Sequence, residues 1–287
     1  MESMKEIMAK RKTSRQWGSL SNMSEKEKVQ LKVDTLNNSE GTLDKNVYDC
    51  EKCKNKGFTY SVIENDGHYS ELAKECDCKA IRQSIISIRQ SGLEPIIKKS
   101  TFERFETNEK WQQTAKEKAQ TFANTVDHLE NKCFFIGGGV GAGKTHLCTA
   151  IVGQMLSEKR TARYMLWVRD SARLKMMVND EAYEPALDDF RKVEVLYIDD
   201  FFKITKDGYG KETLPTSADI RLAYEIINYR YQHSELITII SSERFINEIE
   251  EIDSAVGSRI YEMSKGNVLG IAREKNRNYR LKDAEIL

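Results

Sequence analysis

The chain has 287 residues, 39% hydrophobic and 31% charged, a mix typical of a protein with a packed core. Lys plus Arg and Asp plus Glu both number 45, so net charge indicates neither a nucleic-acid nor a membrane partner, and any DNA contact must depend on local patches. No apolar run approaches the roughly 20 residues of a membrane-spanning helix. The first residues also lack the apolar core of a secretory signal. We therefore expect a cytoplasmic protein with no membrane partner.

Residues 1–46 are predicted to form a flexible or helical N-terminal arm. Met4, Ile7, Met8 and Arg11 fall at helical spacing, and the stretch that follows is rich in Ser, Asn, Lys and Glu. A solvated tail fits this composition. A partner-docking arm with an adaptable methionine face fits it equally.

Residues 47–80 are predicted to form a zinc-binding module. Four of the six cysteines fall in this window: Cys50, Cys53, Cys76 and Cys78. The C-x-x-C and C-x-C pairs are separated by 22 residues, and in a reducing compartment such clustering favours a metal over disulfides. Four thiolates close a tetrahedral Zn²⁺ site with no open position, which indicates a structural role and leaves His68 unneeded as a ligand. Tyr60–Ile63 and the turn residues Asn65–Gly67 predict a hairpin between the pairs.

Residues 81–100 are predicted to be a helical linker, because Ile81, Ile85 and Ile88 share one helical face. From residue 101 to residue 287 the pattern is α/β. The predicted strands are Cys133–Ile136, Arg163–Val168, Val193–Ile198, Leu236–Ile240 and Val268–Ile271. The predicted helices include Leu147–Leu156 and Ala218–Gln232. Strands that alternate with helices predict a parallel sheet covered on both faces.

The strongest functional signal is a glycine-rich run between a strand and a helix, which fits G-x-x-x-x-G-K-[ST]. The predicted nucleotide-binding residues are Gly138, Gly139, Val140, Gly141, Ala142, Gly143, Lys144, Thr145 and His146. Glycines let the backbone wrap a phosphate, and successive N–H groups at a helix N-terminus attract it. In this pattern Lys144 reaches the β- and γ-phosphates of ATP and the Thr145 hydroxyl holds Mg²⁺.

The second signal is the apolar strand Val195–Ile198 that ends in two carboxylates, a Walker B pattern. Asp199 is predicted to hold Mg²⁺, and Asp200 to act as the general base for the attacking water. At the end of the next strand, Ser242 is the predicted polar group that positions this water. Arg259 follows an apolar helix, and the residues alone leave two roles open, an arginine finger on a neighbouring subunit or a local ion pair.

From about Tyr48 onward the chain resembles helicase loaders of the DnaC/DnaI type, closest to those carried by phages and prophages of low-GC Gram-positive bacteria. The resemblance rests on the four cysteines and on an ordered set of motifs: TFERF (Thr101–Phe105), GVGAGKTHL (Gly139–Leu147), LYIDDFFK (Leu196–Lys203), INYRY (Ile227–Tyr231), TIISSE (Thr238–Glu243) and VGSRIYEM (Val256–Met263). The P-loop is shared by many ATPases, and the order of the other motifs is far more specific.

The resemblance implies an α/β AAA+ P-loop ATPase with a five-stranded parallel sheet and a minimal lid, preceded by the zinc module. It implies that the N-terminal region and the zinc module contact a hexameric replicative DNA helicase during replication initiation. It further implies that ATP controls self-association through the ATP site and the grip on single-stranded DNA. By match, Lys144 and Thr145 serve the nucleotide, Asp199 the Mg²⁺ ion, and Arg259 the finger role. Arg230 lies in a family motif without an assigned role.

Two departures bear on the rate of hydrolysis and not on nucleotide binding. Many relatives have Glu where this chain has Asp200, and many have Asn where Glu243 aligns, so Ser242, Glu243 or neither takes the polar role. These departures motivate one alternative, a non-hydrolysing ATP-binding adapter. Another is a transposition-helper ATPase of the IstB type that acts on duplex DNA, although the cysteine module argues against it. Arg280 is predicted to be a surface residue more readily than a γ-phosphate ligand.

Overall fold

The computed structural model describes residues 23–90, 92–274 and 277–279. The predicted helix at Met4–Arg11 and the residue Arg280 lie outside these ranges. The chain divides into two compact units at Arg82 and Gln83. The boundaries predicted after residues 46, 80 and 100 remain predictions.

The N-terminal unit contains helix α1 (Glu25–Asn38) and an antiparallel hairpin of β1 (Phe58–Asn65) and β2 (His68–Glu75). Helix α1 begins at Ser24, whose side chain forms a capping box with Glu27 and so satisfies two N-terminal N–H groups. The predicted hairpin between the cysteine pairs is confirmed.

Helix α1 packs on this hairpin. Val33 is buried, and the Asn37 side chain brackets Tyr60, donating to its carbonyl at 2.8 Å and accepting from its N–H at 2.9 Å. Lys32 forms an ion pair with Glu71 of β2. Residues that the sequence assigns to an arm therefore contribute to the same unit as the hairpin.

The second unit is an α/β sandwich. Its strands are β3 (Cys133–Gly138), β4 (Ala162–Leu166), β5 (Val195–Asp199), β6 (Thr205–Lys206), β7 (Glu212–Thr213), β8 (Ile237–Ser242) and β9 (Val268–Ile271). The remaining helices, starting at the division between the units, are α2 (Cys78–Gln90), α3 (Glu94–Lys99), α4 (Lys110–Thr125), α5 (Lys144–Ser157), α6 (Trp167–Met176), α7 (Tyr183–Arg191), α8 (Ser217–Gln232), α9 (Ile246–Ile252) and α10 (Ser254–Met263). Five strands form one parallel sheet in the order β4-β5-β8-β3-β9, and β6 pairs with β7 in a small hairpin.

The sheet has a core on each face, because successive side chains of a strand point to opposite sides. Phe134 of β3 packs with Phe122 of α4 in one core. Its neighbour Phe135 lies in the other core with Ile226 of α8 and Ile260 of α10. This arrangement confirms the predicted parallel sheet covered on both faces.

Strand β4 is shorter than the predicted strand Arg163–Val168. It ends at Leu166, and Trp167 begins α6 directly. The Leu166 N–H donates to the Asp170 carboxylate at 2.9 Å, which satisfies this backbone donor where the strand passes into the helix. A membrane-spanning helix would have to be longer and more apolar than any helix in the described ranges.

Candidate functional site

A cleft of about 360 Å³ lies at the carboxyl ends of β3 and β5. The predicted residues Val140–His146, Asp199 and Asp200 all line it. Phe105 and Trp111 line it as well, and their aromatic side chains could receive a nucleobase. Ligands of open parallel sheets bind at this edge, beyond the carboxyl ends of the strands.

The glycine-rich loop has glycine at positions whose backbone conformation excludes most other residues, among them Gly138 and Gly143. Gly138 has φ 111° and Gly143 has φ 81°, both in the region that disfavours other residues. A Cβ atom at Gly138 would lie 1.9 Å from the carbonyl oxygen of Ile271, and one at Gly143 would lie 2.7 Å from the Phe105 ring. These glycines thus let the loop keep its tight path. The loop ends at Gly143, directly before the N-terminus of α5, where backbone N–H groups attract anions.

Lys144 is the first residue of α5 and is 8% exposed. Its ammonium donates to the carbonyl oxygens of Gly138 at 2.9 Å and Gly139 at 2.6 Å. Burial lowers the pKa of Lys144, and the negative charges of Glu243 and Asp200 oppose this shift. The two predicted glycines thus contact the lysine that the motif assigns to phosphate.

Asp199 is buried at the end of β5 and accepts several hydrogen bonds. Thr145 donates to its Oδ1 at 3.2 Å, and the Tyr164 hydroxyl donates to its Oδ2 at 3.1 Å. The Ser241 hydroxyl and the Asp200 N–H also donate to Oδ1. The structure therefore unites the two predicted Mg²⁺ residues, Thr145 and Asp199, and adds Tyr164 and Ser241, which the sequence did not indicate.

Asp200 occupies a tight turn with φ 54°. Its Oδ2 accepts from the Lys203 ammonium at 2.6 Å, and this ammonium lies 3.9 Å from Glu243 Oε1. Lys203 and Glu243 both line the cleft. The i,i+3 spacing of Asp200 and Lys203 in the LYIDDFFK motif is a signal from which this ion pair could have been predicted.

Ser242, the predicted water-positioning group, does not line the cleft. Ser242 is fully buried, and its hydroxyl donates to the carbonyl oxygen of Phe201 at 2.6 Å and accepts from the Arg244 N–H at 3.0 Å. Side chains alternate along β8, so Ser241 reaches Asp199 and Ser242 points away from it. At this strand end, Glu243 is the residue that lines the cleft.

Arg259 lies on α10 and is not among the described residues that line the cleft. Its guanidinium donates to Asn228 Oδ1 at 3.0 Å and to the Ala255 carbonyl at 2.9 Å. It also lies 5.1 Å from the ring centre of Tyr224 and 5.5 Å from that of Tyr231. Within the described ranges, Arg259 therefore contacts groups of α8 and α10 and not the nucleotide cleft.

Arg230 has a structural role. It is 1% exposed. Its guanidinium donates to the Thr238 hydroxyl and to five carbonyl oxygens, those of Phe190, Arg191, Val193, Glu194 and Ile237. Burial lowers its pKa to about 9. Arg230 thus connects the turn between α7 and β5 to strand β8.

The four cysteines of the N-terminal unit form a compact cluster. All are buried, and their sulfur atoms lie within 4.8 Å of one another. Cys50 Sγ lies 3.8 Å from Cys76 Sγ, and Cys53 Sγ lies 3.5 Å from Cys78 Sγ. A tetrahedral site with Zn–S bonds of about 2.3 Å places its sulfur atoms about 3.8 Å apart. The donor set and its spacing are therefore compatible with a zinc module.

Neighbouring polar groups hold the cluster in place. Asn55 is buried, and its Oδ1 accepts from the Cys50 N–H at 2.9 Å and from Arg82 at 2.6 Å. The Gly57 N–H donates to Cys53 Sγ at 3.3 Å. The His68 side chain is 83% exposed and lies beside Glu25, outside the cluster, as the four-cysteine prediction requires.

A P-loop that faces a Walker B carboxylate on a parallel sheet of order β4-β5-β8-β3-β9 defines a nucleotide-binding protein of the AAA+ class. The chain belongs to the family of the bacterial DnaA ATPase domain, whose profile matches residues 96–265.

Two curated relatives come from Bacillus subtilis strain 168. The uncharacterized protein YqaM is 32% identical over 222 residues, 74% of this chain and 68% of its own length. The phage-like element PBSX protein XkdC is 32% identical over 229 residues, 75% of this chain and 79% of its own length. A crystal structure of the DnaC helicase loader aligns with a TM-score of 0.50 and 17% identity, over 62% of this chain and 98% of that one. At this identity the likeness shows the fold alone.

These findings confirm the predicted resemblance to loaders of the phage type and the predicted AAA+ fold. The chain spans little more than half of the length of two DnaA structures with which it aligns, 57% and 55%.

Proposed function

We propose that this chain is an ATP-dependent loader that places a hexameric replicative helicase on single-stranded DNA during replication initiation. The observation that carries the proposal is the combination, in one chain of this family, of an AAA+ nucleotide cleft with a four-cysteine unit. The nucleotide cleft would let ATP control the self-association of the loader and its grip on single-stranded DNA. The cysteine unit supplies a surface for the helicase, separate from the ATP site.

The cleft residues have complementary roles in ATP hydrolysis. The loop N–H groups, the α5 N-terminus and Lys144 would bind the phosphates, and Thr145 with Asp199 would hold Mg²⁺. Asp200 would accept the proton of the water that attacks the γ-phosphorus as the bond to the β-γ bridging oxygen breaks. In the N-terminal unit, Zn²⁺ would close the fold around the four thiolates and leave no coordination position for catalysis.

Arg259 supports self-association through the ATP site. It is half-buried between two tyrosine rings, and it lies away from the cleft of its own chain. In this proposal, a neighbouring copy brings its cleft to Arg259, whose positive charge then stabilises the phosphates during hydrolysis.

Native mass spectrometry tests the proposal. The full chain is mixed with the hexameric helicase of its host or phage, with and without a non-hydrolysable ATP analogue. We expect a complex of defined stoichiometry that the analogue strengthens, whereas a Lys144→Ala control shows no analogue effect. If no complex forms in either state, the loader function is wrong.

Two measurements separate the alternatives. A preference for duplex over single-stranded DNA would favour the transposition-helper ATPase. Phosphate release in the presence of helicase and single-stranded DNA tests the alternative of a non-hydrolysing adapter. The Lys203–Asp200 ion pair favours this alternative, because Asp200, the candidate general base, is already bound to Lys203. Sustained turnover that Asp200→Asn abolishes would exclude the adapter.

A further inference from the structure

The nucleotide cleft contains a lysine that the ATPase motifs do not assign. Lys203 lies in the turn after β5, and its side chain is 38% exposed. Its ammonium contacts Asp200 at 2.6 Å and lies 3.9 Å from Glu243. Lys144, the motif lysine, is buried against loop carbonyls. Lys203 is therefore the more exposed of these two lysines, and the one that is paired with the candidate base.

The pair restricts what Asp200 can do. A carboxylate that accepts a short ionic hydrogen bond is held in one orientation, and its lone pairs are less available to a water proton. The Lys203 N–H also donates to the Asp200 carbonyl at 3.1 Å, so the main chain keeps the two residues together. The pair can open only through the side chains, and the flexible four-carbon stem of Lys203 is suited to this.

A terminal phosphate would compete for the same ammonium. The γ-phosphate of ATP carries more charge than a single carboxylate, and three carboxylates already face this part of the cleft: Asp199, Asp200 and Glu243. These carboxylates and the phosphate would repel one another, and Lys144 and a Mg²⁺ ion held by Thr145 and Asp199 would offset part of this repulsion. Lys203 is placed to supply a further positive charge beside Asp200 and Glu243.

We propose that Lys203 is a γ-phosphate-responsive restraint on the candidate base: it pairs with Asp200 when no γ-phosphate is in the cleft, and turns to the γ-phosphate of ATP, which releases Asp200. This proposal rests on the proposed ATP function. It makes Lys203 a positioning residue for hydrolysis and a group that distinguishes ATP from ADP. Although burial opposes the charge, the hydrogen bond that Lys203 donates to Asp200 and the charges of the nearby carboxylates raise the pKa of Lys203.

Nucleotide affinities of the full chain test the proposal. ATP, in its non-hydrolysable form, and ADP are titrated by calorimetry into the wild type, Lys203→Met and Lys203→Arg. The loss of one charge-assisted contact is expected to weaken ATP binding by about tenfold or more, and to change ADP binding by less than about twofold. Lys203→Arg should retain the preference for ATP. The matched control is Lys206→Met, which removes an exposed lysine three residues along and should change neither affinity.

A double-mutant cycle with Asp200 tests the restraint itself. Asp200→Asn frees Lys203 and removes a repulsive charge, so ATP affinity should rise severalfold. Part of that rise must disappear in Asp200→Asn/Lys203→Met, because the coupling exists only when both side chains are present. Strictly additive effects would contradict the restraint.

The results of these titrations separate failure of the Lys203 proposal from failure of the loader function. If Lys203→Met weakens ATP and ADP equally, or neither, the Lys203 proposal is overturned while the helicase complex can still form. If the wild type binds neither nucleotide, both proposals are wrong.

Discussion

At the scale of single residues, the sequence identifies side chains whose partners lie within one motif. The sequence predicts the positions of Gly138–Thr145 and Asp199 from local spacing alone. A P-loop follows its strand directly, and Asp199 lies at the end of its own strand. Tyr164 and Ser241 could not be identified in this way. They reach Asp199 from β4 and β8, and only the pairing of these strands with β5 brings them there.

Arg230 shows a second limit at this scale. Its motif is visible in the sequence, but its partners come from the turn between α7 and β5 and from β8. The partners of this guanidinium are mainly backbone carbonyl oxygens, which every residue carries. The sequence therefore contains no charged residue that would identify them. In the structure, this motif arginine stabilises the central sheet through its contacts with backbone carbonyl oxygens.

We predict that Arg230→Met lowers the free energy of unfolding by about 3 kcal/mol, because it leaves several buried carbonyl oxygens without donors. Urea denaturation followed by circular dichroism measures the loss. Arg221→Met is the control, since Arg221 lies on the same helix with a side chain that is 80% exposed, and it should change stability by less than about 0.5 kcal/mol. Equal effects of the two substitutions would show that the carbonyl contacts contribute little.

At the scale of the elements, hydrophobic runs predict which strands exist, and side-chain contacts decide where they end. The run Arg163–Val168 is typical of one strand, yet the strand ends at Leu166, whose N–H donates to the Asp170 carboxylate of α6. At the end of β8, the sequence left the polar role to Ser242, Glu243 or neither. Strand alternation turns Ser242 away from the cleft, and its hydroxyl donates to the Phe201 carbonyl in the turn after β5.

The position of Arg259 on α10 yields a prediction about neighbouring copies. Arg259→Ala should reduce ATP turnover by at least about tenfold and leave ATP binding nearly unchanged, because the side chain lies outside the cleft of its own chain. Steady-state phosphate release and calorimetry measure the two quantities.

A mixing experiment shows whether Arg259 acts between copies. An Arg259→Ala copy retains an intact cleft, and an Asp200→Asn copy retains Arg259. If the finger acts on a neighbour, a mixture of the two inactive variants regains part of the turnover. Turnover that stays at the level of the separate variants, despite assembly of the mixture, would remove the finger role.

At the scale of the whole molecule, the sequence predicted an AAA+ core preceded by a cysteine module, but it did not predict that α1 belongs to the module. Helix α1 is polar and has a single buried hydrophobic residue, Val33. It is held by the Asn37 contacts to Tyr60 and by an ion pair, and such contacts leave no periodic pattern in the sequence. From residue 23 onward, the N-terminal unit has little apolar core beside its cysteines, so we infer that its stability depends on a metal.

We therefore predict that zinc removal unfolds the N-terminal unit and spares the nucleotide cleft. A strong chelator, or Cys76→Ser, should expose the β1–β2 hairpin amides to hydrogen exchange, because protonated or unligated thiols cannot hold the two cysteine-bearing segments together. ATP affinity should change by less than about twofold, since every described residue of the cleft belongs to the second unit. The helicase complex seen by native mass spectrometry should disappear.

The control for this substitution is His68→Ser, which removes an exposed metal-capable side chain from the same hairpin and should retain one zinc per chain by elemental analysis. Loss of zinc without faster exchange in the hairpin would mean that the packing of α1 suffices to fold the unit. Loss of ATP binding together with zinc would mean that the cleft depends on the N-terminal unit. A helicase complex that survives zinc loss would place the docking surface elsewhere in the chain.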